Sequence, residues 1–321
     1  MPNSSKKMVK PKVVVSKCLG FAKCRWNGTT IPDSFIDKLK KHVNFIPVCP
    51  EVEIGLNTPR PPIRIVNNRL VQPKTGRDFT DKMNRFSEKF LNNLKNVDGF
   101  ILKYKSPSCG MKNVLIYPNK DTRKAKSQGP GFFGKKVLER FKGLSIEDEG
   151  RLRNFRIREH FLTRLFTLAD FRKVKKSKSI QKLLDFHTRN KFLLMAYNQK
   201  ELRILGQILA NQANNFSITA DEYEEHLRLA LSRMPRYTSN INVLLHAYNH
   251  FSKKLNAKEK KYFHHLIDEY RDAKIPLSAI LVLLKDWVMR FDDKFLAKQT
   301  FFQPYPEDLI SITDSGKGRN K

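Results

Sequence analysis

Two hydrophobic rhythms divide the chain. Up to about residue 150, short apolar runs alternate with amphipathic segments. Val13–Ser16, Phe45–Val48 and Gly99–Lys103 are compact apolar runs that predict strands, the last of them buried over Gly99–Leu102. Between them, Pro32–His42 places Phe35, Ile36 and Leu39 on one helical face, with Asp33 as its cap. Thr80–Leu94 carries a stripe of Met83, Phe86, Phe90, Leu91 and Leu94. Ile63–Val71 reads as a strand or hairpin, and Tyr117–Pro130 as a polar, lysine-rich loop. Strands alternating with helices predict an α/β N-terminal domain over residues 1–150, small and three-layered, with a Rossmann-like sheet.

Beyond residue 150 the period is helical throughout. Arg151–Val174, Ile180–Tyr197, Gln199–Ala213, Thr219–Arg233, Asn240–Lys254, Lys258–Lys274 and Pro276–Phe291 each read as a helix. Short connections between them predict an all-α helical bundle domain over 151–321. Residues 1–11 read as a basic lead-in without structure, and the chain from Ile310 as a polar, frayed tail. No repeat of fixed period is present.

Charge narrows the function. Lys and Arg number 62 against 31 Asp and Glu, for a net charge of +31. The excess is +17 in residues 1–150 and +14 in 151–321, so no single tail explains it. A globular chain this basic repels itself unless it meets a polyanion, with nucleic acid first and an anionic membrane surface second. No run approaches the ~18 apolar residues of a membrane span. The N-terminus is polar and lacks an apolar signal core. A cytoplasmic protein with reduced thiols is expected, with no protein partner indicated.

The four cysteines all lie within the first 109 residues. Cys18 follows the run Val13-Val14-Val15, Cys49 follows Phe45–Val48, and Cys109 sits in the turn Lys103–Gly110 after Gly99–Leu102. In that turn Pro107 fixes one backbone angle and Gly110 is expected to free another. Ligands of open α/β sheets bind outside the carboxyl ends of strands, where these three thiols stand. Three thiolates leave one position open, either on zinc with an activated water or on a cubane iron–sulfur cluster with one free iron. Their separations of 31 and 60 residues match neither a ferredoxin nor a zinc-finger run. Buried thiols packing as small hydrophobes are the structural alternative. Taken alone, Glu51 reads as a helix-start carboxylate after Pro50, and Ser106 as a turn residue before Pro107. Cys24 reads as structural. Gly129–Gly134 matches no phosphate-binding fingerprint. His246 and His250, one turn apart, lack the HExxH pattern and read as solvated or core-edge residues.

Four pieces taken together are distinctive: Cys18-Leu19-Gly20, Pro47-Val48-Cys49-Pro50-Glu51, Thr58-Pro59-Arg60-Pro61-Pro62 and Leu102–Gly110 with its Ser106-Pro107-Ser108-Cys109-Gly110 core. They resemble the thiouracil desulfurase (TudS) family, over most of residues 13–140 and in the family's order. The resemblance implies a 4Fe–4S cluster held by Cys18, Cys49 and Cys109. The fourth iron would be open to the sulfur of a thiolated pyrimidine. It further implies Glu51 as the catalytic carboxylate and Ser106 as the catalytic serine. Cys24 matches no ligand position.

The helical half resembles the YbgA-type domain. The matching pieces are Arg158-Glu159-His160-Phe161, Phe186-His187, Asn190–Tyr197, Glu269-Tyr270-Arg271, Ile275-Pro276-Leu277 and Gln303–Glu307. The fusion resembles the RudS-type tRNA 4-thiouridine desulfidases, which implies that the cluster domain removes sulfur while the helical domain supports tRNA binding. Arg25, Arg60, Lys103 and Lys105 lie beside the cysteine motifs and are candidates for substrate phosphate contacts. Two other readings stay open here: a desulfidase of free thiouracil or thiouridine, and a non-catalytic RNA-binding iron–sulfur protein.

Overall fold

The computed structural model describes residues 8–211 and 215–311. Its first elements are β1 Lys12–Ser16, α1 Ser34–Leu39, β2 Asn44–Val48, α2 Pro50–Glu53, β3 Arg64–Val66, β4 Arg69–Gln72 and β5 Arg77–Asp78. Next come α3 Thr80–Asn93, β6 Gly99–Leu102, β7 Val114–Tyr117, β8 Ser127–Gly129, α4 Phe132–Arg140 and β9 Ser145–Asp148. The remainder is helical: α5 Phe155–Lys176, α6 Ile180–Tyr197, α7 Gln199–Ala210, α8 Phe216–Ala230, α9 Tyr237–Asn249, α10 Ala257–Arg271 and α11 Leu277–Arg290. The chain divides into two compact units. One takes residues up to Ala169 and the segment from Tyr305; the other is Asp170–Pro304.

The first unit is built on a parallel sheet of order β2-β1-β6-β9. Val13, Val14 and Val15 of β1 and Phe100, Ile101 and Leu102 of β6 are fully buried, as strands covered on both faces must be. Val13, Val15 and Ile101 share one core with Ile36 and Leu39 of α1 and with Phe161, Leu162 and Leu165 of α5. On the other face Phe100 packs on Phe141, and Phe86 and Phe90 of α3 pack on Phe133 of α4. The result is the expected three-layer α/β arrangement. The first connection runs from β1 outward to β2, and the chain later returns to β6 on the opposite side. Adjacent strands whose connections leave in opposite directions open a crevice at their carboxyl ends.

A second sheet, of order β5-β4-β3-β7-β8, is mixed: β3 pairs parallel with β7, and its other pairs are antiparallel. It corrects the loop expected over Tyr117–Pro130, because Ser127–Gly129 forms the edge strand β8 against β7. That strand is short and polar, and an edge position needs no apolar alternation to hold it. The single helix expected from Arg151 is a short 3₁₀ turn, Arg151–Arg153, followed by α5. Asn154 separates them, and its Oδ1 accepts from Ile157 N at 3.1 Å as an N-cap does. Asp33 caps α1 as expected, accepting from Phe35 N and Ile36 N.

The second unit is helical. Leu244, Phe251, Phe263, Leu284 and Trp287 are buried at its centre. Phe171 and Tyr223 stack at 5.5 Å, with Phe186 edge-on to both. The lead-in over residues 1–7, the expected end of α7 at Ala213 and the tail beyond 311 lie outside the described residues. Among the described residues no helix is long and apolar enough to cross a membrane.

Candidate active site

Cys18, Cys24, Cys49 and Cys109 all border one cavity of about 350 Å³ in the first unit. Three of them arrive from the carboxyl ends of neighbouring parallel strands. Cys18 lies two residues beyond β1, where its carbonyl accepts from Ile31 N at 2.8 Å and Thr30 Oγ1 at 3.0 Å. Cys49 directly follows β2 and stands at the N-cap of α2, with Pro50 opening that helix. Cys109 lies in the turn after β6. Cys24 comes from the loop between β1 and α1, and the Cys49 thiol reaches its carbonyl at 3.8 Å.

The Cys109 turn is held from two sides. Within it, Ser106 Oγ accepts from Ser108 N at 3.2 Å and Cys109 N at 3.1 Å. From outside, Gly131 N, Phe132 N and Gly134 N donate to the carbonyls of Gly110, Pro107 and Ser108, at 2.8, 3.1 and 3.0 Å. These are donors of the first turn of α4, which have no partner inside their own helix. Contact this close requires glycine. A Cβ on Gly131 would stand 2.6–2.7 Å from the carbonyl oxygens of Ser106, Pro107 and Ser108; one on Gly134 would stand 2.3 Å from that of Gly110. Gly110 itself corrects an expectation. The left-handed residue of the turn is Lys105, at φ 56°, while Gly110 is needed because a Cβ there would meet Val114 Cγ2 at 2.3 Å.

Glu51 enters the cavity from the first turn of α2, its side chain 14% exposed. Arg60 holds its Oε2 through Nε at 3.1 Å and Nη2 at 2.7 Å. Ser108 Oγ donates to its Oε1 at 2.8 Å. The remaining donors of Arg60 go to the carbonyls of Cys24 and Asn57 and to Thr58 Oγ1. All five of its N–H groups thus have partners inside the protein. Lys103 is likewise engaged, with the buried carboxylate of Glu149. Lys105 is exposed, its ammonium 5.3 Å from the centre of the Tyr104 ring. Arg25 is half-buried at the cavity wall and donates to Thr29 Oγ1 at 3.0 Å.

Contact and burial set the state of the thiols. Hydrogen bonding to Cys18, reinforced by burial, pushes the Cys24 thiol up to about 11. Hydrogen bonding to Cys24 and burial push Cys49 well above the ordinary thiol range. Burial does the same to Cys109 and outweighs the opposing hydroxyls of Ser16 and Ser106. Among the described residues no three His, Cys, Asp or Glu side chains converge as a site for a single metal ion. His246 and His250 are exposed, and His250 Nδ1 lies 3.0 Å from Asp293 Oδ2.

Every residue singled out as catalytic, as a ligand or as a phosphate contact lines this cavity. Charge alone could not reveal that Arg60 and Lys103 already have buried partners. The clamp at Gly131 and Gly134, and Glu149, were missed, while Ser108 stood out only as a second hydroxyl of the turn and was given no task. Ser108 had a signal: it shares the Ser-Pro-Ser-Cys-Gly piece with Ser106, and only geometry separates their tasks.

A model described as 2-thiouracil desulfurase matches residues 13–149. YbbK of Bacillus subtilis (strain 168) is 33% identical over 109 residues, covering 30% of this chain and 72% of that protein. The chain belongs to the 2-thiouracil desulfurase family. A second model, described as a protein of unknown function (DUF1722), matches residues 191–306. YbgA of Escherichia coli (strain K12) is 30% identical over 158 residues, covering 48% of this chain and 93% of that protein. A solved structure titled as a [4Fe-4S]-dependent thiouracil desulfidase, TudS, is 31% identical, covers 44% of this chain and 93% of its own, and has a TM-score of 0.38. The family makes this chain an enzyme of carbon–sulfur bond cleavage, and its matched segment contains every residue of the cavity.

Proposed function

We propose that the protein removes sulfur from 4-thiouridine in tRNA, giving uridine and hydrosulfide. In this reading Cys18, Cys49 and Cys109 hold a 4Fe–4S cluster. The observation that carries it is the meeting of three thiols from three different strand ends with the Glu51 carboxylate on one cavity wall. The donor set fits such a group: iron–sulfur clusters are held by cysteine thiolates, and soft sulfur ligands select them. When bound, a cluster with one open iron supplies a soft Lewis acid for a thiocarbonyl sulfur.

The remaining chemistry falls to this chain's own side chains. Water replaces sulfur at the ring carbon, so carbon keeps its oxidation state and no reductant is needed. Glu51 takes the proton from that water at its carboxylate, as a positioned general base does. Arg60 and Ser108 keep the carboxylate aimed, one on each oxygen. Ser106, on the cavity wall, relays a proton. Arg25 and Lys105 contact substrate phosphate. Residues 1–150 carry the chemistry and residues 151–321 support the tRNA, in the cytoplasm. The net charge of +31 favours a nucleic-acid substrate. The family's description favours a second reading, in which the substrate is a free thiolated pyrimidine.

Anaerobic incubation of cluster-loaded protein with bulk bacterial tRNA tests the proposal. Loss of the near-ultraviolet band of 4-thiouridine, with release of sulfide, is expected. An unchanged band in a sample with an intact cluster spectrum would exclude tRNA as the substrate and turn attention to free thiopyrimidines.

A further inference from the structure

A second, broader groove of about 800 Å³ opens in the same unit. It shares Trp26, Arg60 and Pro62 with the thiol-lined cavity, so the two are continuous around that rim. Trp26 is 48% exposed, an unusual amount for an indole that has nothing to recognise. Its backbone is fixed: the Trp26 carbonyl accepts from Arg60 N at 2.7 Å, and Gly28 N donates to the carbonyl of Arg25 at 2.9 Å. The adjoining wall is proline, at positions 59, 61, 62 and 73, which is apolar and rigid. Away from the cavity the wall turns basic, with Arg64, Lys74, Lys120 and Arg123 and a single carboxylate, Asp121. Arg64 is held in place, its guanidinium 4.9 Å from the centre of the Tyr117 ring and Nη1 3.4 Å from the Thr122 carbonyl. Among the described residues Lys74, Lys120 and Arg123 are exposed and stand in no ion pair.

An exposed aromatic on a fixed backbone, followed by a row of cations outside ion pairs, is the combination that binds single-stranded nucleic acid. The ring stacks on a base and the cations follow the backbone. A base that reacts inside a cavity must leave its own stack, which strands its neighbour at the mouth. Trp26 stands at that mouth. We infer that the groove is the subsite for the nucleotides flanking the thiolated one: Trp26 stacks on the adjacent base, and Lys74, Lys120 and Arg123 hold the phosphates beyond it. This rests on the desulfidase reading only in that the reacting base belongs to an RNA strand. An acidic peptide would use the cations but gain nothing from the exposed indole.

The test uses the full chain and a fluorescein-labelled, unmodified single-stranded RNA, with affinity read by anisotropy over a range of salt. The Lys120→Gln/Arg123→Gln variant is expected to bind more weakly, with a salt dependence shallower by about 0.7 for each phosphate it no longer neutralises. Trp26→Ala is expected to lose about tenfold in affinity at an unchanged salt slope, and Trp26→Phe to recover most of it. On thiolated RNA, kcat/KM of the double variant should fall with its affinity, while turnover of free 4-thiouridine stays at the wild-type level. Affinity and slope unchanged in both variants would overturn the inference. So would an equal fall on RNA and on free nucleoside, or competition by polyglutamate as strong as that by RNA. A wild-type protein that binds RNA with these sensitivities yet releases no sulfide would remove the proposed reaction and leave the groove assigned.

Discussion

Arg60 holds Glu51 by one carboxylate oxygen and leaves the other to Ser108. Arg60 is buried and Glu51 largely so, with side chains 5% and 14% exposed. Removing the cation from such a pair costs about 3–5 kcal/mol, because the remaining charge is left without its partner. Arg60→Ala is therefore expected to lower the unfolding midpoint and abolish sulfide release. Glu51→Gln keeps a hydrogen-bonding group in place, so it should retain fold and cluster spectrum while losing at least ~10²-fold in turnover. Near-wild-type turnover in Glu51→Gln would remove the carboxylate from the mechanism.

Ser106 and Ser108 are predicted to fail differently. Ser108→Ala removes the hydroxyl donor on Glu51 and should cost about tenfold in kcat with iron content intact. Ser106→Ala uncaps the backbone N–H groups of Ser108 and Cys109 and should lower iron retention as well as turnover. Parallel measurement of iron per chain and of kcat separates the two. Identical behaviour of both variants would contradict this division of tasks.

The glycine clamp yields a prediction free of substrate. Gly134→Ala places a methyl group 2.3 Å from the Gly110 carbonyl, so the turn bearing Cys109 must shift. Overpacking of this kind costs about 1–3 kcal/mol. The expected signs are reduced thermal stability and weakened cluster absorbance.

Loading of the site should depend on pH in a known direction. With their pKa values raised above the thiol range, Cys49 and Cys109 are protonated in the cluster-free protein at neutral pH. Binding as thiolates expels those protons, so affinity rises with pH, by about tenfold per unit for each proton released. Iron retention against a chelator, compared at about pH 6.5 and about pH 8.5, should be greater at the higher value. Retention that does not change between these pH values would mean that the thiols are already ionised before metal arrives.

Much of this site is legible in the sequence. The β-branched run Val13–Val15 and the mixed run Phe45–Val48 announced strands, the first buried at the sheet's centre and the second at its edge, and the cysteines that follow them lie at strand ends as expected. The helices after residue 150 were visible from their apolar period, with boundaries displaced by a few residues. What stayed hidden concerns partners. A cation in sequence looks the same whether it faces water or a buried carboxylate, so Arg60 and Lys103 gave no sign of Glu51 and Glu149. Gly131 and Gly134 failed the phosphate-loop patterns, and their task of accommodating another backbone has no local signature. The strand β8 is too short and polar to show alternation.

The strand order has a consequence for biogenesis. β1 lies between β2 and β6, yet β6 is synthesised some fifty residues after β2. A chain emerging from the ribosome can bring Cys18 and Cys49 together early. Cys109 joins them only after β6 has paired with β1 and the first turn of α4 has closed on its carbonyls. Loop-closure entropy must be met before such distant contacts reward it. In the proposed reading, cofactor delivery waits on completion of residues 12–148 as a folded sheet, and a carrier that arrives sooner meets a site that still lacks Cys109.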